Sequence, residues 1–200
     1  MSELFDRLTR IFAESRDVGF AGLRDDRDVA RGILRPAAVL IAVTDRPDPG
    51  ILLTQRPDTM ASHPGQIAFP GGKMEAGEDA VAAALREADE ELSITPEAVR
   101  VIGQTQSFVT GSGFELTPVL GLVPHDLPIR PDPREVAGWF EVPLRFALDQ
   151  RNHVAKRGMF RGLQRDYTEI LWQDYRIWGI TAGILANLSH RLAWEDLLDD

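Results

Sequence analysis

Residues 71–94 read GGKMEAGEDAVAAALREADEELSI, a glycine pair and a short polar loop running into a helix. With about 100° per residue and Arg86 at zero, Glu90 falls near ~40°, Glu87 near ~100° and Glu91 near ~140°. Val81, Leu85, Ala88 and Leu92 gather between roughly 200° and 260° on the same wheel. The spacing predicts one apolar stripe that packs on a sheet and a separate stripe of negative charge. Carboxylates that close repel, which raises the pKa of one or more unless a cation sits among them. A hard divalent ion such as Mg²⁺ is the simplest remedy, since it takes oxygen ligands and usually shares its shell with substrate phosphates. The pattern implies an enzyme acting on phosphates.

The same residues resemble the Nudix box, G-x5-E-x7-R-E-U-x-E-E-x-G-U with U aliphatic. Gly72, Glu78, Arg86, Glu87, Ala88, Glu90, Glu91 and Ile94 fall in register, and Ser93 replaces the last glycine. Just past a helix end the chain often turns left-handed, where serine costs about 1 kcal/mol relative to glycine. The resemblance implies a Nudix-type α/β/α sandwich with a mixed β-sheet and hydrolysis of a diphosphate bond. It implies Mg²⁺ or Mn²⁺ held by Glu87, Glu90, Glu91 and the carbonyl of Gly71. It also assigns Arg86 to orienting the carboxylates, a task compatible with a structural salt bridge. Glu78 is read as stabilising the loop–helix junction, with a direct metal role as the alternative. The water-activating base is Glu87 or Glu90 within the box, or a carboxylate on a later loop. Glu135, after Pro131-Asp132-Pro133, is the favoured later residue, with Glu115 as the alternative.

Upstream, residues 52–72 read LLTQRPDTMASHPGQIAFPGG. They resemble LLTxR(S/A)x3Rx3Gx3FPGG, the signature of the coenzyme A diphosphatase branch of Nudix hydrolases. Leu52, Leu53, Thr54, Arg56, Gly65, Phe69, Pro70, Gly71 and Gly72 match, while Pro57 replaces Ser or Ala and Ala61 replaces Arg. Thr117-Pro118-Val119, Glu135-Val136, Val142-Pro143-Leu144 and Ile177-Trp178-Gly179 extend the likeness. It implies cleavage of coenzyme A or acyl-coenzyme A to 4′-phosphopantetheine, or its acyl form, and adenosine 3′,5′-bisphosphate. Arg56 is the expected phosphate binder, because its guanidinium fork matches phosphate oxygens. His63 and Gln66 share the glycine-bearing loop and can meet an anion or a base edge, although a lone loop histidine is as often structural. Phe69, Trp139, Trp172 and Trp178 are read as packing residues. Alanine at 61 cannot replace an arginine fork, which keeps open a Nudix diphosphatase for ADP-ribose, dinucleotides or nucleoside triphosphates. A non-catalytic Nudix ligand-sensing module would be expected to carry degenerate carboxylates, and every box glutamate is present.

The chain has 200 residues and 44% hydrophobic content, enough for one well-cored domain. The expected organisation is an N-terminal helix and linker over 1–34, then a Nudix hydrolase domain over 35–192 that includes the C-terminal helix. Zero Cys excludes disulfides and Cys-ligated metal sites, and four scattered His argue against a zinc enzyme. A net charge of −9 argues against a general nucleic-acid surface. MSELFDRLTR is unlike a secretory leader, and the longest apolar run, PAAVLIAV, is too short for a membrane span. The expected partner is a small diphosphate substrate, with no nucleic acid or membrane, and the expected location is cytoplasmic. Both terminal helices offer apolar faces that can pack on their own domain or across a homodimer.

Hydrophobic periodicity predicts a helix capped by Ser2 and strands over 37–44, 51–55, 99–109, 116–123, 136–142 and 167–172. It predicts further helices over 144–149 and 180–192, with a long loop over 56–68.

Overall fold

The continuous apolar run near residue 40 becomes the central strand because it is covered on both faces. The computed structural model describes residues 2–15, 19–30, 32–60, 63–160 and 162–192, without the side chains of 160 and 163. In chain order the elements are α1 (Glu3–Glu14), β1 (Arg35–Asp45), β2 (Gly50–Gln55), β3 (Ile67–Ala68), β4 (Gly71–Lys73) and α2 (Ala80–Leu92). Then come β5 (Arg100–Gln104), β6 (Phe108–Val109), β7 (Phe114–Pro124), β8 (Gly138–Pro143) and α3 (Leu144–Leu148). The chain continues with β9 (Val154–Phe160), β10 (Leu163–Trp172), β11 (Tyr175–Trp178) and α4 (Ile180–Arg191).

Among the described residues, β1 to β8 form one sheet, and it is mixed. β1 runs parallel to β7 from Arg35↔Phe114 to Asp45↔Pro124, while β4, β2 and β8 add antiparallel pairings. β9, β10 and β11 form a second, antiparallel sheet. Successive residues of a strand point to opposite faces, and β1 uses both. Ala38, Leu40 and Ala42 pack under α2, whereas Ala37, Ile41 and Val43 join a core with α1 and α4. This is the α/β/α sandwich with a mixed sheet that the resemblance implies.

The N-terminal helix is built into that second core. Ser2 caps it, Leu8 is fully buried, and Arg100 stacks its guanidinium over the Phe5 ring, 3.7 Å from the centroid. Asn187 of α4 donates to the carbonyls of Gly19 and Ala21, fastening the linker to the domain. Residues 16–18 and 31 of that linker lie outside the described residues.

Three expectations change. The predicted strand over 99–109 is two strands, β5 and β6, separated at residues 105–107, with a register shift between Val101 and Gly103. β9 and β11 were not predicted; β9 carries Lys156, Arg157 and Gly158 and lacks a clear apolar alternation. Finally, the buried face of α2 is not centred on Val81 and Leu85, which are only partly buried. It is formed by Ala80, Ala83, Ala84, Ala88, Glu91 and Leu92. Alanine methyls let the helix approach the sheet closely, so the packing face rotates toward the carboxylates.

Candidate active site

The N-terminus of α2 is fixed by Asp79, whose carboxylate accepts from the Ala82 N–H at 2.8 Å. Its C-terminus ends on Ser93 in the left-handed conformation, φ 57°. Ser93 N–H donates to Asp89 O and Ile94 N–H to Ala88 O, closing the last turn without glycine. Ser93 Oγ also donates to Arg130 O at 3.2 Å.

Arg86 uses all five of its N–H donors. Nε and Nη2 hold Glu78 at 2.8 and 3.2 Å, and Nη2 also reaches Lys73 O at 2.9 Å. Nη1 bridges Glu87 Oε1 at 3.0 Å and Glu90 Oε2 at 3.1 Å. Glu78 in turn accepts from the Glu75 N–H at 2.8 Å, which closes the loop before the helix. The guanidinium thus joins loop, β4 and helix, and sits as the cation between Glu87 and Glu90.

Among the described residues, no such cation touches Glu91. The residue is 6% exposed, and its Oε2 is buried with no hydrogen-bond partner among them. Burial, reinforced by the charge of Glu87, pushes its pKa up to about 8, against the opposing effect of a backbone hydrogen bond from Gly71. Glu135 adds to the rise and Arg56 opposes it. Burial also raises Glu87, with Arg86 opposing and Glu90 and Glu135 contributing. The two β4 glycines leave space on two sides, Gly72 for the Glu87 carboxylate and Gly71 for the backbone of β1. A Cβ on Gly72 would lie 2.4 Å from Glu87 Oε1, and one on Gly71 would lie 2.4 Å from the backbone oxygen of Ala38.

The later carboxylate comes to the same place through backbone bonds. Arg130 N–H donates to Leu92 O at 3.0 Å and Asp132 N–H to Glu91 O at 2.9 Å, satisfying carbonyls at the end of α2. Ala137 N–H then donates to Gln55 O at 2.8 Å, so the loop spans from α2 to β2. Glu135 rides on this loop, exposed, and its charge acts on both Glu87 and Glu91. Glu115 is engaged elsewhere, with Arg27 at 3.1 Å and Ser107 at 2.9 Å.

Of the upstream residues, Arg56 carries charge that opposes the rise at Glu91, and its Nε is buried without a partner among the described residues. Its backbone N–H donates to Gln66 O, and Gly65 N–H donates to Arg56 O, which ties the loop back on itself. His63 is exposed in a left-handed turn, φ 55°, and its carbonyl accepts from Gln66 N–H. Ala61 lies outside the described residues. Phe69 is buried, as expected of a core residue. Trp172 packs on Phe146 and Trp178 on Tyr167, but Trp139 is 39% exposed, against the packing role read from sequence. The backbone clamp on α2 and the exposure of Trp139 escaped the sequence reading; the rigid Pro131-Asp132-Pro133 run was the available signal for the first.

Among the described residues, no three acidic or histidine side chains converge into a ready-made cation cage. The donor set nevertheless suits a hard divalent ion: a buried carboxylate oxygen lacking a donor, beside a second carboxylate whose pKa is raised. Among the described residues, no helix is long and apolar enough to cross a membrane.

Comparison with known proteins shows the family. The family model for the NUDIX domain matches residues 34–163. An uncharacterized Nudix hydrolase, NudL, of Cronobacter sakazakii is 45% identical over 156 residues, 78% of this chain and 81% of the relative. NudL of Escherichia coli K12 is 43% identical over 160 residues, with the same coverage. Among solved structures, a Nudix hydrolase from M. smegmatis, RenU, is 24% identical, covering 60% of this chain and 74% of that one with a TM-score of 0.49. With the domain match spanning more than half the chain and the glutamates of the box in register along α2, the protein belongs to the Nudix hydrolases, a family that acts on diphosphate substrates.

Proposed function

We propose that the protein is a divalent-metal-dependent diphosphatase for coenzyme A or acyl-coenzyme A, releasing 4′-phosphopantetheine, or its acyl form, and adenosine 3′,5′-bisphosphate. The observation that carries the reading is a buried Glu91 carboxylate oxygen with no hydrogen-bond partner among the described residues, on the helix where Arg86 holds Glu87 and Glu90. The upstream signature that supplies Arg56 supports the coenzyme A branch.

In this reading Glu87, Glu90, Glu91 and the Gly71 carbonyl would hold Mg²⁺ or Mn²⁺, which would supply charge neutralisation for the phosphates and make water a better nucleophile. Arg56 orients a phosphate oxygen, with His63 and Gln66 lining the same loop. Arg86 holds Glu87 and Glu90 in position through its five-donor network, and Glu135 takes the proton from the attacking water. Phosphoryl chemistry of this kind needs positioning and charge neutralisation more than a covalent intermediate.

A second reading, a diphosphatase for ADP-ribose, a dinucleotide or a nucleoside triphosphate, is favoured by alanine at 61, where the coenzyme A signature has arginine. Turnover with Mg²⁺ and with Mn²⁺ decides between them, using coenzyme A, dephospho-coenzyme A, ADP-ribose and deoxynucleoside triphosphates, with Glu91→Gln as the blank. Preferential cleavage of coenzyme A is expected. Preference for another diphosphate selects the second reading, and no metal-dependent turnover at all overturns both.

A further inference from the structure

The sheet face that carries α2 continues beyond the helix onto β2 and β8. Residues directly opposite on paired strands point to the same side. The register Leu52↔Glu141 and Thr54↔Trp139 therefore puts Trp139 on the face of Leu52, which is buried in the α2 cluster. Trp139 belongs to neither core cluster, and among the described residues no aromatic ring or arginine stacks on it. Its strand neighbour Phe140, on the opposite face, is stacked on Tyr175 at 3.6 Å. One strand therefore stacks one aromatic against the core and leaves the next 39% exposed.

The open ring stands beside the candidate active site. Arg56 lies two residues beyond Thr54, the partner of Trp139, so the two Cα atoms are separated by roughly 8 Å, from strand rise and spacing. The Glu135 loop ends where β8 begins, with Ala137 bonded to Gln55. The neighbours on this face also limit what can bind there. Thr54 is buried, and Glu141 is held by Arg46 at 2.7 Å and Thr44 at 2.6 Å. A single ring amid polar groups is too small an apolar patch for a protein partner. It has the size and chemistry to stack one planar heterocycle.

We propose that Trp139 is the stacking platform for the aromatic base of a nucleoside-linked diphosphate whose phosphates are held by Arg56. This inference rests on the diphosphatase reading for the substrate class. Stacking tolerates any base, since each has a π-face. The platform therefore selects nucleoside-linked diphosphates as a class over diphosphates that carry no aromatic ring.

The test uses full-length wild type, Trp139→Ala and Trp139→Phe, with calorimetric titration of AMP and of inorganic diphosphate in Mg²⁺. Loss of the ring should lower the ratio of AMP to diphosphate affinity about tenfold, and Phe should restore most of it. An unchanged ratio in Trp139→Ala, or equal weakening of both ligands, overturns the platform. So does a wild-type protein that binds no AMP. Diphosphate turnover with an unchanged ratio keeps the diphosphatase reading and removes the platform. A lowered ratio without turnover of any diphosphate removes that reading and keeps Trp139 as a nucleotide-binding residue.

Discussion

The backbone N–H of Asp132 donates to the carbonyl of Glu91 at 2.9 Å, so the residue with the most strongly raised carboxylate pKa and the loop bearing Glu135 share one hydrogen bond. The last turn of α2 and residues 130–137 behave as a single positioning unit. What disturbs one is felt by the other.

Metal-free stability should fall as pH rises. Below about 4.5, the ordinary value, Glu91 is protonated in folded and unfolded chains alike. Between there and about 8 the unfolded chain releases a proton that the folded chain keeps, so stability declines with pH through that window. Over the full window the loss is at most roughly 5 kcal/mol, at about 1.4 kcal/mol per pKa unit. Thermal melts in chelator should show this slope, Glu91→Gln should flatten it, and Mg²⁺ should raise Tm more at pH 8 than at pH 5. A slope unchanged in Glu91→Gln would refute the assignment.

The two glycines of β4 should fail in different ways. Gly71→Ala drives a Cβ into the backbone of Ala38 and should cost about 2 kcal/mol or more in denaturant unfolding. Gly72→Ala meets the Glu87 carboxylate instead, the movable end of a side chain. It should unfold within about 1 kcal/mol of wild type yet lose roughly tenfold or more in kcat through displacement of Glu87. Equal stability losses in the two variants would contradict this division.

Glu135→Gln should lower kcat by about 10²- to 10³-fold and remove the acidic limb of the pH–rate profile, while leaving the melting curve nearly unchanged. Retention of that limb would return the role of base to Glu87 or Glu90.

Ser93→Gly should be nearly neutral, within about 0.5 kcal/mol, although it restores the box residue. Relief of left-handed strain, about 1 kcal/mol, is offset by the greater freedom of glycine in the unfolded chain. Loss of the bond to Arg130 O removes a further ~0.5 kcal/mol. A gain above 1 kcal/mol in denaturant unfolding would show that Ser93 carries uncompensated strain.

The sequence was readable where a pattern has a local cause. Ser2 and the apolar residues after it marked α1, the run near residue 40 marked β1, and the glycine pair and glutamates marked the turn and helix of the site. It was less readable where partners distant in the chain decide the outcome. The α2 wheel placed Val81 and Leu85 at the centre of packing, because large apolar residues dominate such a count. Gly72, on another strand, leaves the space that the Glu87 carboxylate occupies. Likewise Trp139 reads as packing because it lies in a predicted apolar strand, yet no element of the described residues covers it fully where β8 pairs with β2, and it is 39% exposed.

Ala38 and Ala42 on β1 face Ala80, Ala83, Ala84 and Ala88 on α2, all of them at most 8% exposed. This layer of methyl groups acts as a spacer of fixed thickness between the central strand and the glutamate helix. Side chains remote from any substrate therefore set how deep the carboxylates sit, and a displacement of even about 1 Å is enough to cost two orders of magnitude in rate. Chemical precision in this protein is in part a matter of what its smallest residues leave out.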